Sequence, residues 1–426
     1  MKAVICGVNS KYVHSSFTAY TLKANVVVEG VELDIVEFSI NDISENCLRN
    51  LYKYKADVYL FPVYIFNILY LARIFSNLKK VLPNCLIVAG GPEAEYGVEI
   101  FMRKHCSVDI VAKGEGELVL PCLLSAIQNG EELDKVNNIA YRKNGRIIYT
   151  VESGERMRMD ELIFVYNEEN IQRFDNKILY YEASRGCPYR CIYCLAALDN
   201  TVRYKSLDKI KEELTFFIDH EVSVVKFTDR TFNANEEIAA AVWQFIKENN
   251  KKTMFHFEIA ADILTPQLMT LLKEMPSGYL QVEAGIQSAK KETLLASLRS
   301  SDLTKIEHNL KQIAGQANIH VHIDLIVGLP YERYDDFKAS FNYAYNIGAN
   351  MLQLGFLKVL KGSPIEGRLE DGAYVYEEDA PYEIISNKWI LFEEILRIKA
   401  LEFVLDKYHN SGDFFQTLPY IIKTFY

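Results

Sequence analysis

Short apolar runs alternate with helix-like segments along the first 131 residues of the chain. Lys2–Val8, Val58–Val63 and Cys85–Ala89 are apolar runs that predict buried strands, whereas Phe17–Val28 and Ile68–Leu82 repeat their apolar residues at helical spacing. Strands that alternate with helices form a parallel sheet with helices on both faces. This part therefore predicts a Rossmann-like, doubly wound α/β domain, whose ligands bind beyond the carboxyl ends of its strands.

The same alternation resumes at Lys177 and continues for six strand–helix units. It predicts a partial (β/α)6 TIM-type barrel, an incomplete relative of the eight-unit form. A hairpin pattern around Asn144-Gly145 precedes it, and the C-terminal stretch reads as helical. We predict a Rossmann-like domain (1–131), a linker with a hairpin (132–175), the barrel (176–365) and a helical C-terminal region (366–426). Five aromatics of the last region are expected in the core: Trp389, Phe392, Tyr408, Phe414 and Phe415.

Composition narrows the class of protein. The chain has 426 residues and a net charge of −10, which argues against nucleic acid as a partner because phosphate backbones need a basic surface. Eight cysteines without a secretory pattern at the N-terminus predict a reducing, cytoplasmic location. The most apolar stretch, Val58–Ile74, contains Pro62, Asn67 and Arg73, so we expect a strand and a helix there and no membrane span.

Three cysteines stand together in residues 184–195. Cys187, Cys191 and Cys194 follow C-x3-C-x2-C spacing, and the next cysteine back along the chain is Cys122. Three thiolates on one loop could hold three irons of a [4Fe–4S] cluster and leave the fourth iron open, whereas a closed cluster uses four cysteines. Structural zinc would need a second pair of ligands, a disulfide framework suits small secreted chains, and a chance grouping of free cysteines remains the plain alternative.

Four loops follow strands of the first domain at one predicted edge of the sheet. Their glycines would let the backbone approach a ligand, and the helices that follow offer N-terminal amides to polar groups. Taken singly, each loop reads as a turn or a helix cap. A lone histidine such as His14 is more often an ordinary polar contact than a metal ligand. The candidate residues are Ser10, Tyr12, Val13, His14, Ser15, Tyr64, Gly90, Gly91, Pro92, Glu93, Gly114, Glu115 and Gly116.

The cysteine loop resembles the signature of the radical SAM superfamily, C-x3-C-x-aromatic-C, with Tyr193 as the aromatic residue. The resemblance implies that the open iron binds S-adenosylmethionine (SAM) and that reductive cleavage of SAM yields a 5′-deoxyadenosyl radical. The Gly-Gly-Pro-Glu and Gly-Glu-Gly-Glu loops resemble the cobalamin-binding domain of the B12-binding subgroup. The C-terminal residues resemble the start of a domain of unknown function that accompanies some of its members. The Asp-x-His-x-x-Gly motif, which supplies an axial histidine in many cobalamin domains, does not occur in the sequence.

The resemblance also implies site residues. Cys187, Cys191 and Cys194 would ligate the cluster, and the loop residues given above would border cobalamin. Polar residues at successive strand ends of the barrel would contact SAM, although a carboxylate there could also simply cap the next helix. His320 and His322 are expected to be structural polar groups of the barrel interior. The expected SAM-binding residues are Tyr193, Asp229, Glu258, Gln287, Ile326, Gly328 and Glu332.

The implied function is that of a cobalamin-dependent radical SAM methyltransferase acting on an unactivated carbon. The expected partners are a small-molecule or peptide substrate and an electron donor such as flavodoxin or ferredoxin. Three alternatives stay open: a rearrangement or cyclisation with the same cofactors, a radical SAM enzyme whose first domain no longer binds cobalamin, and a non-enzymatic iron–sulfur or SAM-binding regulator. Catalytic residues beyond the cluster ligands are not assigned by the sequence.

Overall fold

The computed structural model describes residues 1–199, 201–414 and 416–425. It contains two compact units. The first comprises Met1–Leu179 with Asp379–Pro381, and the second comprises Tyr180–Glu378 with Tyr382–Tyr426.

The first unit is built on one seven-stranded sheet. Its order is β2-β1-β3-β4-β5-β6-β7, and the first five strands in this order are parallel. The strands are β1 (Lys2–Asn9), β2 (Glu32–Ser39), β3 (Val58–Pro62), β4 (Leu86–Gly90), β5 (Ile110–Ala112), β6 (Ile139–Lys143) and β7 (Arg146–Tyr149). The helices are α1 (Phe17–Asn25), α2 (Ser44–Tyr54), α3 (Ile68–Val81), α4 (Pro92–Glu95), α5 (Val98–Lys104) and α6 (Gly116–Asn129).

The burial of the strands follows their sequences. The interior strand β1 is apolar and buried between its polar ends, Lys2 and Asn9, whereas the edge strand β2 alternates acidic and apolar residues and stays partly exposed. The hairpin of β6 and β7 does not stand apart as a linker element. It pairs antiparallel with β5 and extends the sheet, because the apolar Ile139 and Tyr141 join the core under α6.

The second unit is built on a six-stranded sheet of order β15-β14-β13-β12-β11-β8. The pairs from β11 to β15 are all parallel. The strands are β8 (Leu179–Tyr181), β11 (Val224–Phe227), β12 (Met254–Ile259), β13 (Leu280–Gln287), β14 (His320–Val327) and β15 (Met351–Phe356), with two short pairs, β9 (Ser184–Arg185) with β10 (Arg203–Tyr204) and β16 (Val375–Tyr376) with β17 (Ile384–Ser386). The helices between them are α7 (Leu207–Asp219), α8 (Glu236–Asn249), α9 (Pro266–Lys273), α10 (Lys291–Ala296), α11 (Leu303–Ala314), α12 (Tyr334–Tyr345) and α13 (Leu369–Gly372). The predicted α/β class with two parallel sheets is confirmed.

The six-stranded sheet has two unlike faces. On β14, Val321, Ile323 and Leu325 are fully buried, and the aromatic pair Trp243–Phe257 shows how a helix packs on this apolar face. The alternate positions along β11 to β14 carry charged or polar side chains instead. Because side chains alternate between faces in a strand, these polar residues share the face opposite the helices, which a packed barrel would fill with branched apolar residues.

The C-terminal region is helical, as predicted, with α14 (Phe392–Leu405), a π-helical turn and α15 (Thr417–Phe425). The prediction that its aromatics form core was wrong for Phe392, Tyr408 and Phe414, which are exposed. Helix α14 buries only Ile395, Ile398 and Leu405, so Phe392 falls on its outer side, whereas Tyr408 and Phe414 follow the helix. Trp389 is half-buried against Tyr331 and Tyr374, and Phe415 lies outside the described residues. Across the described ranges, none of the helices is long and apolar enough to cross a membrane.

Candidate functional site

The cysteine loop leaves β9 through a glycine that no other residue could replace without strain. Gly186 has φ of +106°, and a Cβ there would collide with the carbonyl oxygen of Thr201. The amide of Cys187 then donates to the carbonyl of Asp199 at 3.0 Å, and the amide of Ile192 donates to the carbonyl of Ser297 at 3.1 Å. These bonds hold the loop in a fixed curve.

The three sulfur atoms lie close enough to influence one another. Cys187 and Cys191 are buried, Cys194 is half-buried, and all three are free thiols. Burial raises the pKa of the Cys194 thiol, and the neighbouring Cys191 and Cys187 raise that pKa further. A thiol in this setting resists ionisation until a metal ion supplies the compensating charge, since a coordinated thiol is deprotonated outright. The loop therefore fits an iron–sulfur cluster.

A positively charged side chain, Arg299, contacts this loop. Its guanidinium donates to Cys191 Sγ at 3.7 Å and also to the carbonyl of Gly285 at the end of β13. On the other side of the loop, Cys187 Sγ is 3.7 Å from the Thr231 hydroxyl. Sequence reasoning missed Arg299, because it follows α10 without any motif that would distinguish it from a surface arginine.

Two of the acidic residues expected at SAM are already engaged with protein groups. Asp229 is buried and accepts from the amide of Ala183 at 3.0 Å and from the hydroxyl of Ser184 at 2.5 Å, so it fixes the segment that leads to Cys187. Burial raises the pKa of Asp229 to about 7, although these two bonds oppose the shift.

Glu332 is the second of these acids. Its Oε1 accepts from the hydroxyls of Ser288 at 2.5 Å and Ser340 at 2.8 Å. Its Oε2 is buried without a hydrogen-bond partner in the described part of the chain. Burial raises the pKa of Glu332 to about 7, so it is a buried acid that links the end of β13 to α12.

Other residues expected at SAM lie at the ends or on the polar face of the sheet. Glu258 is half-buried 3.6 Å from Arg230, and burial raises its pKa. Gln287 folds over Gly285 beside Arg299, and among the described residues its Oε1 has no hydrogen-bond partner. Tyr193 is buried beside Arg299 and Cys191, and burial raises its pKa.

Ile326 and Gly328 are the remaining two residues. Ile326 faces the same side of β14 as the polar residues, opposite Gly355 of β15. Gly328 follows β14, and its carbonyl accepts from Asn387 at 2.8 Å. The structure thus brings Gln287 and Arg299 together beside Cys191, whereas Glu332 belongs to a separate cluster of hydroxyls.

In the first unit, the strand order changes direction between β1 and β3, which is where ligands of this fold bind. The loop after β1 contains Tyr12, which is 80% exposed, and its Val13 carbonyl accepts from the amide of Ile178 at 2.8 Å. After β3, Phe66 stacks on Tyr64 with ring centroids 5.4 Å apart. Phe66 is 44% exposed and was not singled out from the sequence. Exposed aromatics at this edge suit a large macrocycle with an apolar plane.

The other predicted loops lie at the same edge, because β1, β3, β4 and β5 are parallel. Gly91 has φ of +100°, and a Cβ there would lie 2.8 Å from the carbonyl oxygen of Val63, so the loop after β4 needs glycine. Glu93 is buried, and Gly114 donates its amide to Glu95 at 2.9 Å. Glu115 accepts from the amide of Met157 at 2.5 Å.

The last of the predicted loop residues hold the loop after β1 in place. His14 accepts through its carbonyl from Asn9 at 3.1 Å, and Ser15 donates to the carbonyl of Ile178 at 3.0 Å. Ser10 accepts through its carbonyl from Asn41 at 3.2 Å. Pro92 and Gly116 are the first residues of α4 and α6.

Known protein families match most of the chain. Residues 4–124 match the B12 binding domain, residues 181–344 match the radical SAM superfamily, and residues 371–426 match a protein of unknown function, DUF4080. The chain is 24% identical over 332 residues to the cobalamin-dependent radical SAM methyltransferase TokK of Streptomyces tokunonensis, covering 73% of this chain and 48% of that protein. It is 25% identical over 259 residues to the anaerobic magnesium-protoporphyrin IX monomethyl ester cyclase of a Synechocystis species, covering 58% of this chain and 50% of that protein.

The chain thus spans about half the length of these curated relatives. Its fold is similar to that of the radical SAM methyltransferase TsrM from Kitasatospora setae, solved with cobalamin and a [4Fe–4S] cluster, with a TM-score of 0.72. The match has 14% sequence identity and covers 89% of this chain and 76% of that one. Together, the three matches identify a B12 binding domain, a radical SAM domain and a DUF4080 region in this chain, in that order.

Proposed function

We propose that the protein is a cobalamin-dependent radical SAM methyltransferase that acts on an unactivated carbon of a small molecule. The observation that carries the proposal is the convergence of three free cysteines of one rigid loop beside Arg299, next to the carboxyl end of a sheet whose open face is polar. A packed structural barrel has no need of such a face, whereas an active site does.

The cluster would be held by the sulfur atoms of Cys187, Cys191 and Cys194. When bound, the cluster and SAM together supply reductive cleavage of SAM to a carbon-centred radical. The chain's own contribution is to place the sulfurs, to donate a hydrogen bond from Arg299 to Cys191, and to keep the loop shielded from water. We assign contact with SAM to Tyr193, Glu258, Gln287, Ile326 and Gly328. Asp229 and Glu332 would act behind them by positioning the segments to which they are bonded.

Cobalamin would lie at the sheet edge of the first unit, against the loops that contain Tyr12, Tyr64, Phe66, Gly91 and Gly114. When bound as methylcobalamin, it supplies the methyl group. The residues here bind and orient: exposed rings offer apolar area, and the glycine loops allow close backbone approach. We propose that the other loop residues predicted from the sequence also border cobalamin.

The partners follow from the same chemistry. Reductive cleavage consumes an electron, so we propose flavodoxin or ferredoxin as the donor and a reducing, cytoplasmic environment. The substrate is proposed to be a small molecule, with a short peptide as the other option. A net charge of −10 argues against nucleic acid as the substrate.

The test is anaerobic reconstitution of the full chain, followed by measurement of 5′-deoxyadenosine released from SAM under reduction. We expect four irons per chain, roughly the content of one cube, and 5′-deoxyadenosine formation. Cys191→Ala should lose both, and Cys122→Ala, which changes an exposed cysteine of the first unit, should keep both. A stable cluster that never cleaves SAM would refute the enzyme and favour the regulator.

A second candidate is cyclisation or rearrangement with the same cofactors. It is favoured by the similarity to a protein named as a cyclase. Label in the methyl group of SAM separates the two: methylation carries the label into the product, whereas cyclisation leaves it in methionine. A protein that cleaves SAM but retains no cobalamin would support the remaining alternative, a first unit that has lost the corrin.

A further inference from the structure

The polar face of the second unit contains a group of side chains that the cluster and SAM assignments do not use. Glu283 lies on β13 and His322 lies directly opposite it on β14. Asp324 is two residues further along β14, on the same face. One imidazole and two carboxylates from adjacent strands therefore point into the same space, and their ligand atoms all lie within 4.8 Å of one another.

Two of these side chains have buried atoms that lack a hydrogen bond. His322 Nε2 is 3.1 Å from Asp324 Oδ1, yet within the described chain neither atom has a hydrogen-bond partner of acceptable geometry. His322 is only 6% exposed, so water does not readily compensate. Buried nitrogen and oxygen atoms without hydrogen bonds lower the stability of the fold, and a bound ligand would offset that loss.

The spacing matches that of two ligands on one ion. Nitrogen and oxygen ligands sit roughly 2.0–2.2 Å from a first-row metal, so two of them at adjacent positions, about 90–110° apart, are about 2.8–3.6 Å from each other. The observed 3.1 Å between His322 Nε2 and Asp324 Oδ1 falls in this range. An ion at this place would bind both atoms at once.

The third ligand is already oriented. Glu283 Oε2 is 2.9 Å from His256 Nε2 and 3.2 Å from Lys226 Nζ. Its approach to His322 uses the same oxygen, with Glu283 Oε2 3.8 Å from His322 Nδ1. Partners of this kind, which hold a ligand from behind, are a regular feature of metal sites. The Lys226 charge opposes a cation here, so we expect the ion to be held mainly by His322 and Asp324.

We propose that Glu283, His322 and Asp324 bind one divalent first-row metal ion, of the class of Mn²⁺, Fe²⁺ or Zn²⁺. Mixed imidazole and carboxylate ligands suit these ions better than Ca²⁺ or Mg²⁺, which prefer oxygen alone. Three protein ligands leave coordination positions open. Resting on the proposed function, the open positions would take an oxygen-bearing anionic group of the substrate, such as a carboxylate.

The test is titration of Mn²⁺ into the reconstituted full chain, with free Mn²⁺ followed by its electron paramagnetic resonance (EPR) signal. The oxidised cluster and Co(III) corrin are diamagnetic and do not interfere. We expect one ion per chain, bound at least tenfold more weakly by His322→Ala and by the isosteric Asp324→Asn. His320→Ala is the matched control, because His320 is exposed two residues earlier on the same strand face, and it should bind Mn²⁺ as the wild type does.

Equal Mn²⁺ binding by the wild type and both variants, or no binding by any of them, would overturn the inference. If His322→Ala does not fold, Asp324→Asn carries the test alone, since it keeps the volume of the side chain. The measurement does not depend on SAM cleavage. A protein that binds Mn²⁺ in this way but yields no 5′-deoxyadenosine would support the metal site and refute the proposed function. A protein that yields 5′-deoxyadenosine but binds no Mn²⁺ would support the proposed function and refute the metal site.

Discussion

Replacing Arg299 should lower the reduction potential of the cluster. Its guanidinium donates to one of the three cysteines of the loop, at 3.7 Å from Cys191 Sγ. Reduction adds negative charge to the cluster and its sulfur ligands, and a positive donor stabilises that charge more in the reduced state than in the oxidised state. Hydrogen bonds to cluster sulfurs are among the factors that set such potentials. Arg299→Met removes both the charge and the donor while keeping a long side chain.

The size of the shift in reduction potential can be worked out from the contact between Arg299 and Cys191. A hydrogen bond to a charged group contributes about 1.5–3 kcal/mol. If that whole contribution were differential, a one-electron couple would shift by roughly 65–130 mV. Coulomb attraction at about 4 Å in an effective dielectric constant of 20 gives about 4 kcal/mol as an upper limit, because the added electron is spread over the cluster. We therefore expect a potential that is lower by roughly 50–130 mV.

The assay is an anaerobic redox titration of the reconstituted full chain, with the reduced cluster measured by EPR spectroscopy. Arg299→Lys should retain most of the wild-type potential because it keeps the charge. Arg397→Met, which removes an exposed arginine paired with Glu393 on α14, should retain all of it. An unchanged midpoint in Arg299→Met, at full iron content, would show that the guanidinium does not act on the cluster.

Three further predictions concern the loop, the sheet edge and a buried acid. Gly186→Ala should lower iron content and destabilise the fold by about 1–3 kcal/mol, because its φ is left-handed; iron per chain and thermal unfolding test this against the exposed Gly154→Ala. Phe66→Ser should weaken cobalamin binding about tenfold or more, through lost apolar contact; a binding titration with Ile100→Ser as the exposed control tests it. The pKa of Glu332 is raised to about 7, so in the wild type its contribution to stability falls as pH rises from about 4.5 to 7, and Glu332→Gln should gain about 1–3 kcal/mol relative to the wild type between pH 5 and 8 in denaturant titrations. A constant difference across that range would contradict this reasoning.

Much of the fold can be predicted from the sequence, because the strands of both sheets follow simple patterns of apolar and polar residues. The apolar run of β1 predicts a strand buried on both faces, and the alternation of Val321, Ile323 and Leu325 with His322 and Asp324 predicts a strand with one polar face. The class, the order of strands and helices, and the helical end all follow from such patterns. The ends of β8 and β15 could not be predicted, because tertiary contacts and not the local sequence decide where these strands stop.

The site was harder to predict from the sequence than the fold. The cysteine motif is local, so its three residues could be read directly, but Arg299 reaches the loop from 108 residues further along the chain. His322 was expected to be a structural group, because its alternation on a strand says nothing about Glu283 opposite it. The prediction that Phe392 is buried failed for a similar reason: a helix rich in apolar residues does not reveal from its own sequence how many of its sides will be covered.

The measurement that tests the central claim most directly is anaerobic titration of cobalamin into the full chain after cluster reconstitution, followed by the corrin absorption spectrum. The proposed function predicts tight binding with one cobalamin per chain, together with 5′-deoxyadenosine formation from SAM. A protein that cleaves SAM but binds no cobalamin at any concentration would contradict methyl transfer from a corrin and leave a radical SAM enzyme of another kind.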